Sequence, residues 1–338
     1  MKLKRVGIDL AKHVFQVHGV DDAELVVVRK RLTRGQVLRF FTQVEPTLIG
    51  MEACGGSHYW ARELSKLGHT VKLMPPQYVK PYVKTNKNDA NDAEGICEAV
   101  SRPQMRFVPV KEVEQQALQS LHRIRERVVK ARTALVNEVR GLLGECGLVM
   151  GLGVATVRAG LPGMVEDAEN GLCGPMRALM GELYVELVGT DERLKELDKQ
   201  VKLHAQSDVG ARRIQQLDGV GPVVASAVVS SIGDGRQFKS GREFAAWLGI
   251  VPGQHSSGGK DKLGGISKRG DSRLRTLLIH GARAVVKTCV HKTDRRSRWV
   301  NALVGRRNKN IATVALANKN ARIIWAMLAR EEDYRAAA

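Results

Sequence analysis

Residues 4–32 read KRVGIDLAKHVFQVHGVDDAELVVVRKRL. Three runs within this stretch, KRVGIDL, VFQVHGV and ELVVVRKRL, are rich in β-branched residues and separated by short polar breaks. That is the pattern of three strands close enough in sequence to form a meander. Outward from there the period changes. A helix over roughly 34–44, a strand TLIGME, a helix over roughly 57–67, a strand TVKLMP and a last helix follow in turn.

Three strands followed by helix–strand–helix–strand–helix suits a ribonuclease-H-like α/β fold. The last helix carries a feature that needs explaining. In KNDANDAEGICEAV (87–100), Ala93, Ile96, Cys97 and Val100 share one face, and Asp89 and Asp92 lie on nearly the same side. Carboxylates at the mouth of an apolar stripe carry a desolvation cost unless something offsets it. One reading is capping, with Asp89 as N-cap and Asp92 at the third helical position. A second reading comes from Asp9, at the end of VGIDL, and Glu52, at the end of TLIGME before the Gly-rich turn ACGGSH. In a ribonuclease-H-like sheet the first strand, the fourth strand and the closing helix converge, so all four acids come to one place. Four carboxylates there repel one another unless a divalent metal is bound, which makes the cluster a phosphodiester site. Mg²⁺ or Mn²⁺ is the ion expected.

The chain has 338 residues, 43% of them hydrophobic, and contains no apolar run long enough to cross a bilayer. The start MKLKRVGIDLAK lacks a signal-peptide core, which leads us to expect a cytoplasmic protein without a membrane partner. Five cysteines without a C-x-x-C pair argue against a disulfide framework or zinc site, and for reduced core thiols. Net charge is +19 and unevenly spread. Residues 1–110 carry 17 Lys and Arg against 11 Asp and Glu, residues 111–210 carry 13 against 15, and residues 211–338 carry 24 against 9. A basic final third of this strength is the footprint of a polyphosphate partner, while aromatics at 4% weaken any scheme based on base stacking.

Residues 111–145 predict a long helix with a heptad seam of Ala117, Leu121, Ile124, Val128, Ala131 and Leu135. A second seam runs Met180, Leu183, Leu187, Thr190, Leu194, Leu197 and Val201, and the Gly-rich stretch 141–175 between them reads as loop with short helical pieces. The two helices fit either an intramolecular hairpin or pairing with another subunit. LDGVGPVVASAVVSSIGD (217–234) looks like a helix-hairpin-helix element, with Gly219 and Gly221 letting backbone amides approach a phosphate.

The stretch VPGQHSSGGKDKLGGISKRGD (251–271) gathers Ser256, Ser257, six glycines and the cations Lys260, Lys262, Lys268 and Arg269, with Arg273 just beyond. It reads as a flexible basic loop touching phosphates. It also reads as the seat of a serine nucleophile for a phosphorus centre, activated by cations, metal or base. No G-x-S-x-G elbow is present, and His255 is too close in sequence to serve readily as the partner base.

Taken in order, GIDLAKHVFQV, MEACGGSHYWAR, KNDANDAEGICEA, LDGVGPVVASAVVSSIGD and FAAWLGIVPGQHSSGGKDKLGGISKRGDSRLRTLLIHGARA resemble the bacterial transposases of the insertion-sequence 110 family over nearly the whole chain. The resemblance implies a RuvC-like domain (1–108), a helical coiled-coil segment (109–210) and a mainly α transposase domain with the hairpin and serine loop (211–338). It implies that Asp9, Glu52, Asp89 and Asp92 form the acidic tetrad and that Ser257, the serine followed directly by Gly258, is the catalytic serine. Gly253 stands where relatives often have a basic residue. By resemblance, the partners are donor and target DNA, a structured non-coding RNA encoded by the element, and further copies of the chain as a dimer or tetramer. Strand exchange would pass through a serine–DNA link at the bacterial nucleoid, with base pairing choosing the sequence. A water-using hydrolase relying on the acids alone, and a metal-independent DNA architectural protein, are the rival readings.

Overall fold

The computed structural model describes residues 1–84 and 88–335. The chain divides into two compact units, Met1–Val113 and Glu114–Ala338.

The first unit is built on a five-stranded sheet of β1 (Arg5–Leu10), β2 (Val14–Val20), β3 (Val26–Thr33), β4 (Leu48–Glu52) and β5 (Thr70–Met74), in the order β3-β2-β1-β4-β5. The expected meander is present: β1 pairs antiparallel with β2, and β2 with β3. β4 then adds parallel to β1, and β5 parallel to β4. The helices are α1 (Val37–Thr42), α2 (Ser57–Lys66), α3 (Pro76–Val79) and α4 (Asp89–Ala99). The helix expected over 34–44 is a short 3₁₀ turn (Arg34–Gln36) leading into α1. One face of the sheet buries Val6, Ile8, Phe15, Ile49 and Met51 with Phe41, Trp60 and Leu64. The edge of Trp60 meets Phe15 at 5.0 Å between ring centroids. The other face receives α4, whose Ala93, Ile96 and Cys97 are all buried as the sequence pattern requires. Arg5, almost fully buried, ties α4 to the sheet. Its Nε donates to the Cys97 carbonyl (3.0 Å), and its guanidinium pairs with Glu24 and Glu98. Arg5 and Lys4 together hold the Glu24 carboxyl down to about 2.

The second unit comprises α5 (Val113–Glu145, opening at the boundary), α6 (Val154–Glu166), α7 (Gly174–Ser207), α8 (Val209–Ile214), α9 (Pro222–Ile232), α10 (Gly241–Trp247), a ribbon of β6 (Pro252–Gln254) and β7 (Leu263–Ile266), α11 (Ser272–Thr288), α12 (Arg295–Arg306) and α13 (Lys309–Ala329). The α5 and α7 helices face one another within the chain. Arg125 pairs with Asp198 and Arg132 with Asp191, while Leu135, Val139, Leu143, Met180 and Leu187 close one end around α6. The α7 seam is buried or half-buried throughout. Of the expected α5 seam Val128 and Leu135 are buried and Leu121 half-buried, while the other three positions face outward. Ala117, Ile124 and Ala131 are exposed, whereas Leu118, His122, Val128, Leu135, Val136 and Val139 are buried. The inward face accepts His122, Arg125 and Arg132 because each finds a polar partner, which an apolar heptad count cannot foresee. A larger core joins α8, α9, α10, α11 and α13 through Ile214, Val228, Phe244, Leu278, Ile324 and Leu328. Of the cysteines only Cys97 and Cys289 are buried. Cys54, Cys146 and Cys173 are exposed, which corrects the expectation of core thiols. Among the described residues no helix is long and apolar enough to cross a membrane.

Candidate active site

Two strands of the first unit end in the same local pattern, Gly7-Ile8-Asp9 on β1 and Gly50-Met51-Glu52 on β4. The parallel register pairs Gly7 with Gly50 and Ile8 with Met51, so Asp9 and Glu52 are the next residues along neighbouring strands. Both glycines lie under α4. A methyl group at Gly7 would press into the Ala93 carbonyl, and one at Gly50 would come within 2.8 Å of the Val100 side chain. Side chains alternate across a strand, so Asp9 and Glu52, two residues on, project from that same α4-bearing face. The helix runs back along the sheet, with Cys97 at Arg5 and Ala93 at Gly7. Its first turn, with Asp89 and Asp92, therefore lies toward the end of β1 where Asp9 stands. This glycine-two-before-acid pattern is a signal that strand prediction alone overlooks.

Capping does not account for the two helix acids. Asn88 is the N-cap, its side-chain oxygen accepting from the Asn91 amide at 2.8 Å, and Asp89 is the first helical residue. This corrects the capping alternative and leaves both carboxylates available to other groups. Asp89 is exposed, and Asp9, Glu52 and Asp92 are half-buried. Partial burial, then the nearby carboxylates of Glu52 and Asp9, push the Cys54 thiol above its ordinary range, which sets all three groups in one neighbourhood. Among the described residues no three acidic, His or Cys side chains stand close enough together to hold an ion. The donor set itself, four carboxylates with the strand pair in register, is chemically that of a hard divalent cation. A small cavity of about 330 Å³ opens beside this end, lined by Cys54 and by Lys12 and Arg34. Arg34 lies over the Trp60 ring at 5.1 Å. Lys12 and Arg34 were not singled out from sequence; with Leu10 and Trp60 they line this cavity just beyond the end of β1.

In the second unit the serine stretch is an ordered ribbon. Pro252 pairs with Ile266 and Gln254 with Leu263, and Ser257 bridges to Lys260. The tip is the two-residue turn Gly258-Gly259, with φ of +56° and +76°, closed by the Lys260 amide donating to the Ser257 carbonyl at 3.1 Å. Positive φ at both central residues is the requirement of the tight hairpin turn, and glycine meets it without strain. The two serines differ. Ser256 Oγ is held inside the ribbon, accepting from Gln254 Nε2 (2.8 Å) and from the Lys262 amide (3.3 Å). No hydrogen bond engages the exposed Ser257 hydroxyl among the described residues.

The ribbon's base is clamped. A side chain at Gly249 would run into the Arg269 backbone, and one at Gly270 into the Trp247 carbonyl. The Lys268 amide donates to Gly249 O, and Arg275 Nη1 donates to the carbonyls of Leu248 and Arg269. Lys260, Lys262, Lys268 and Arg269 are all exposed. Arg273 is not displayed with them. It is half-buried on α11, its Nη1 is buried without a partner, and its charge is felt by His122 in the interior. Gly253 lies in β6 with the Gly265 carbonyl 3.6 Å from its vacant Cβ position.

The turn before α9 divides its two glycines. Gly219 is packed against Gly281 of α11, a Cβ there coming within 2.8 Å of the Gly281 carbonyl. Gly221, the N-cap of α9, is exposed with nothing within 4 Å of its Cβ position. Beneath lies a buried polar cluster: His122 Nε2 is 2.9 Å from Ser226 Oγ, which is 3.3 Å from His204 Nδ1. Burial, with Arg273 and Arg125 nearby, lowers His122 to about 4.

Comparison with known proteins gives a consistent picture. Residues 211–298 match the family described as Transposase IS116/IS110/IS902, and residues 6–147 match a transposase family whose name carries the DEDD acid set and the IS110 label. The chain is 59% identical over 336 residues to a probable family 20 transposase of Pseudomonas aeruginosa, covering 99% of each. It is 47% identical to the transposase for insertion sequence element IS1111A of Coxiella burnetii (99% of this chain, 92% of that one). It is 40% identical to the transposase for insertion sequence element IS1328 of Yersinia enterocolitica, over 95% of each. With a RuvC-like sheet in the first unit and a mostly helical second unit, the chain belongs to the IS116/IS110/IS902 family, and it is an insertion-sequence transposase, an enzyme that cuts and rejoins DNA.

Proposed function

We propose that Ser257 is the nucleophile of strand exchange and that Asp9, Glu52, Asp89 and Asp92 hold a divalent metal, Mg²⁺ or Mn²⁺, that the reaction requires. The observation that carries this reading is the contrast between the serines: Ser256 is tied into the ribbon, while the Ser257 hydroxyl stands clear beside a Gly-Gly turn. In the cutting step Ser257 Oγ bonds to phosphorus and gives up its proton. The phosphorus–oxygen bond to the leaving deoxyribose breaks, and that oxygen takes up a proton. In rejoining, a deoxyribose hydroxyl attacks the phosphoserine and Ser257 regains its proton, so the energy of the broken link is retained. When bound, a divalent metal would supply Lewis-acid stabilisation of the charge that develops in phosphoryl transfer. The four carboxylates hold it, and Lys260 and Lys262 neutralise the phosphate as charge develops.

The finer organisation belongs to the same proposal. Residues 1–108, 109–210 and 211–338 act as acid domain, coiled-coil segment and serine domain. Gly221 at the start of α9 meets a DNA phosphate in the manner of a helix-hairpin-helix. A structured RNA encoded by the element guides the choice of sequence, and the working particle is a dimer or tetramer in the cytoplasm, at the nucleoid. The net +15 of residues 211–338 supports backbone contact as the main source of affinity.

Trapping tests the central point. Protein, guide RNA, metal and nicked target DNA are incubated, denatured and mapped by mass spectrometry. The expected adduct is on Ser257. Ser257→Ala should abolish cutting and joining while leaving nucleic-acid binding at the wild-type level, and Ser256→Ala should keep substantial activity. Cutting at the wild-type rate by the Ser257→Ala protein would transfer the case to hydrolysis by water.

A further inference from the structure

A groove of about 2140 Å³ runs through the second unit between α12, α13 and the root of the serine ribbon. Pro252, Gly264 and Ile266 of the ribbon form one wall. Its charged lining is dominated by cations from three separate helices: Arg242 on α10, Arg295 on α12, and Lys319 and Arg322 on α13, all exposed. Among the described residues none of the four has a carboxylate at ion-pair distance. The neighbouring Arg296 is different, being answered by Asn320 Oδ1 at 2.7 Å and by the Asp218 carboxylate at 3.9 Å. Three of the four acids lining the groove are engaged, Asp294 as the cap of α12, Glu331 with Arg236 and Asp333 with Arg213, and the fourth, Glu332, is exposed near the chain end. Lys319 Nζ is held over the Trp299 ring at 4.6 Å. Partial burial and the charges of Arg296, Arg295 and Arg322 lower the Lys319 ammonium below its ordinary range, so these cations are crowded together without internal compensation.

Resting on the reading of Ser257 given above, we propose that this groove seats the DNA duplex flanking the phosphate that Ser257 attacks, with Arg242, Arg295, Lys319 and Arg322 on its backbone. The argument for DNA is continuity. The groove wall and the serine are parts of one ribbon, and Ser257 lies five residues beyond Pro252, a reach of about 16 Å along a strand. That reach corresponds to about five phosphates of one DNA strand at ~3.4 Å spacing. A polyanion entering the groove relieves the repulsion that Lys319 meets from Arg295, Arg296 and Arg322. Trp299 braces Lys319 so that its ammonium stays in the groove instead of trailing into solvent.

Binding without chemistry tests the assignment. Full-length protein in EDTA is titrated by fluorescence anisotropy with a labelled DNA duplex of about 30 base pairs, and with an RNA duplex of the same sequence, across a salt series. For Arg295→Gln/Lys319→Gln/Arg322→Gln, DNA affinity should fall more than tenfold, and the log–log salt slope should shrink by about 2.7, or about 0.9 for each lost phosphate contact. RNA affinity should be unchanged. The charge-keeping Lys319→Arg should bind DNA as wild type, and the charge-matched Lys195→Gln/Lys199→Gln/Lys202→Gln on α7 should leave the DNA slope intact. Circular dichroism melting checks that the triple variant is folded. An unchanged DNA slope overturns the proposal, and a loss confined to RNA, or equal for both, reassigns the groove to the RNA partner. A Ser257→Ala protein should still bind DNA fully, so failure of the serine reading is distinguishable from failure of the groove.

Discussion

The acids and the serine are held in place by opposite means. Asp9 and Glu52 end two interior strands, and their spacing follows from a register that extends through Arg5–Leu48 to Ile8–Met51 and from a helix fitted over two glycines. Ser257 stands on a two-stranded ribbon that is exposed along nearly its whole length, fixed by a two-glycine turn at the tip and two glycine contacts at the base. Position at the acid end depends on long-range packing, so an error there spreads into the core. Position at the serine depends on local backbone conformation, so an error there stays in the ribbon. Under the proposed roles, carboxylates sharing one ion would need the first arrangement, and a serine reaching a phosphate on a bulky duplex would be suited to the second.

The largest effect should come from the acids themselves. Asp9→Asn or Asp92→Asn removes a charged oxygen donor and should abolish recombination while the protein still melts as wild type and binds RNA. Full strand exchange in EDTA by the wild-type protein would break the metal half of the comparison.

Next comes the support beneath them. Gly7→Ala forces a methyl group into the Ala93 carbonyl, and overpacking of this kind costs about 3 kcal/mol. The first unit should lose about 10 °C in melting temperature and recombination should fail with it. A stable, active Gly7→Ala protein would mean that α4 does not rest on β1 in solution.

A smaller effect tests the scaffold under the ribbon, where the interior is polar. His122 is lowered to about 4, so the folded state resists protonation that the unfolded chain accepts near ~6.5. Its stabilising contribution is complete above about pH 6.5 and is lost as pH falls from there toward 4, on the order of 2 kcal/mol at the bottom. Chemical denaturation of the wild type and of His122→Gln at a series of pH values reads this directly. The variant's stability should vary less between pH 6.5 and 4, and equal slopes for the two proteins would remove His122 from the account.

The smallest effect on stability should be at the tip. Gly258→Ala places a side chain at φ +56° in open space, a local cost of about 1 kcal/mol. Recombination should fall roughly tenfold, since about 1.4 kcal/mol corresponds to a factor of ten in rate, while melting temperature falls by no more than about 4 °C and DNA binding is unchanged. A drop in melting temperature as large as that of Gly7→Ala would erase the distinction between the two regions.

Several parts of this arrangement are readable in the sequence for physical reasons. Strands KRVGIDL to TVKLMP announce themselves through β-branched runs, and the apolar face of α4 through its spacing, because burial of one face imposes a period. The departure of α5 from its expected seam is not readable that way. Arg125, Arg132 and His122 point inward because Asp198, Asp191 and Ser226 wait for them on other helices, and such pairing leaves no trace in a hydrophobic count. The cap at Asn88 illustrates a finer ambiguity: Asn88 and Asp89 are both good cap residues, and only the chain direction decides between them. Gly219 and Arg273 fit the pattern of phosphate contacts in sequence, yet one packs on Gly281 and the other turns toward His122.

The clamped base of the ribbon also bears on how such an enzyme can change over time. Gly249 and Gly270 accept no side chain without a clash against backbone, whereas the stretch between Pro252 and Ile266 touches little besides itself. The ribbon is thus a cassette in a fixed socket, free to drift in the chemistry it shows to DNA while its mounting stays constant. Grafting the corresponding segment of the Coxiella burnetii relative between Val251 and Ser267 should yield a protein with the parent's melting temperature, and any change should appear in DNA affinity or the rate of strand exchange. Tuning of the exchange step would then proceed by replacement of a single short module, without renegotiating the core.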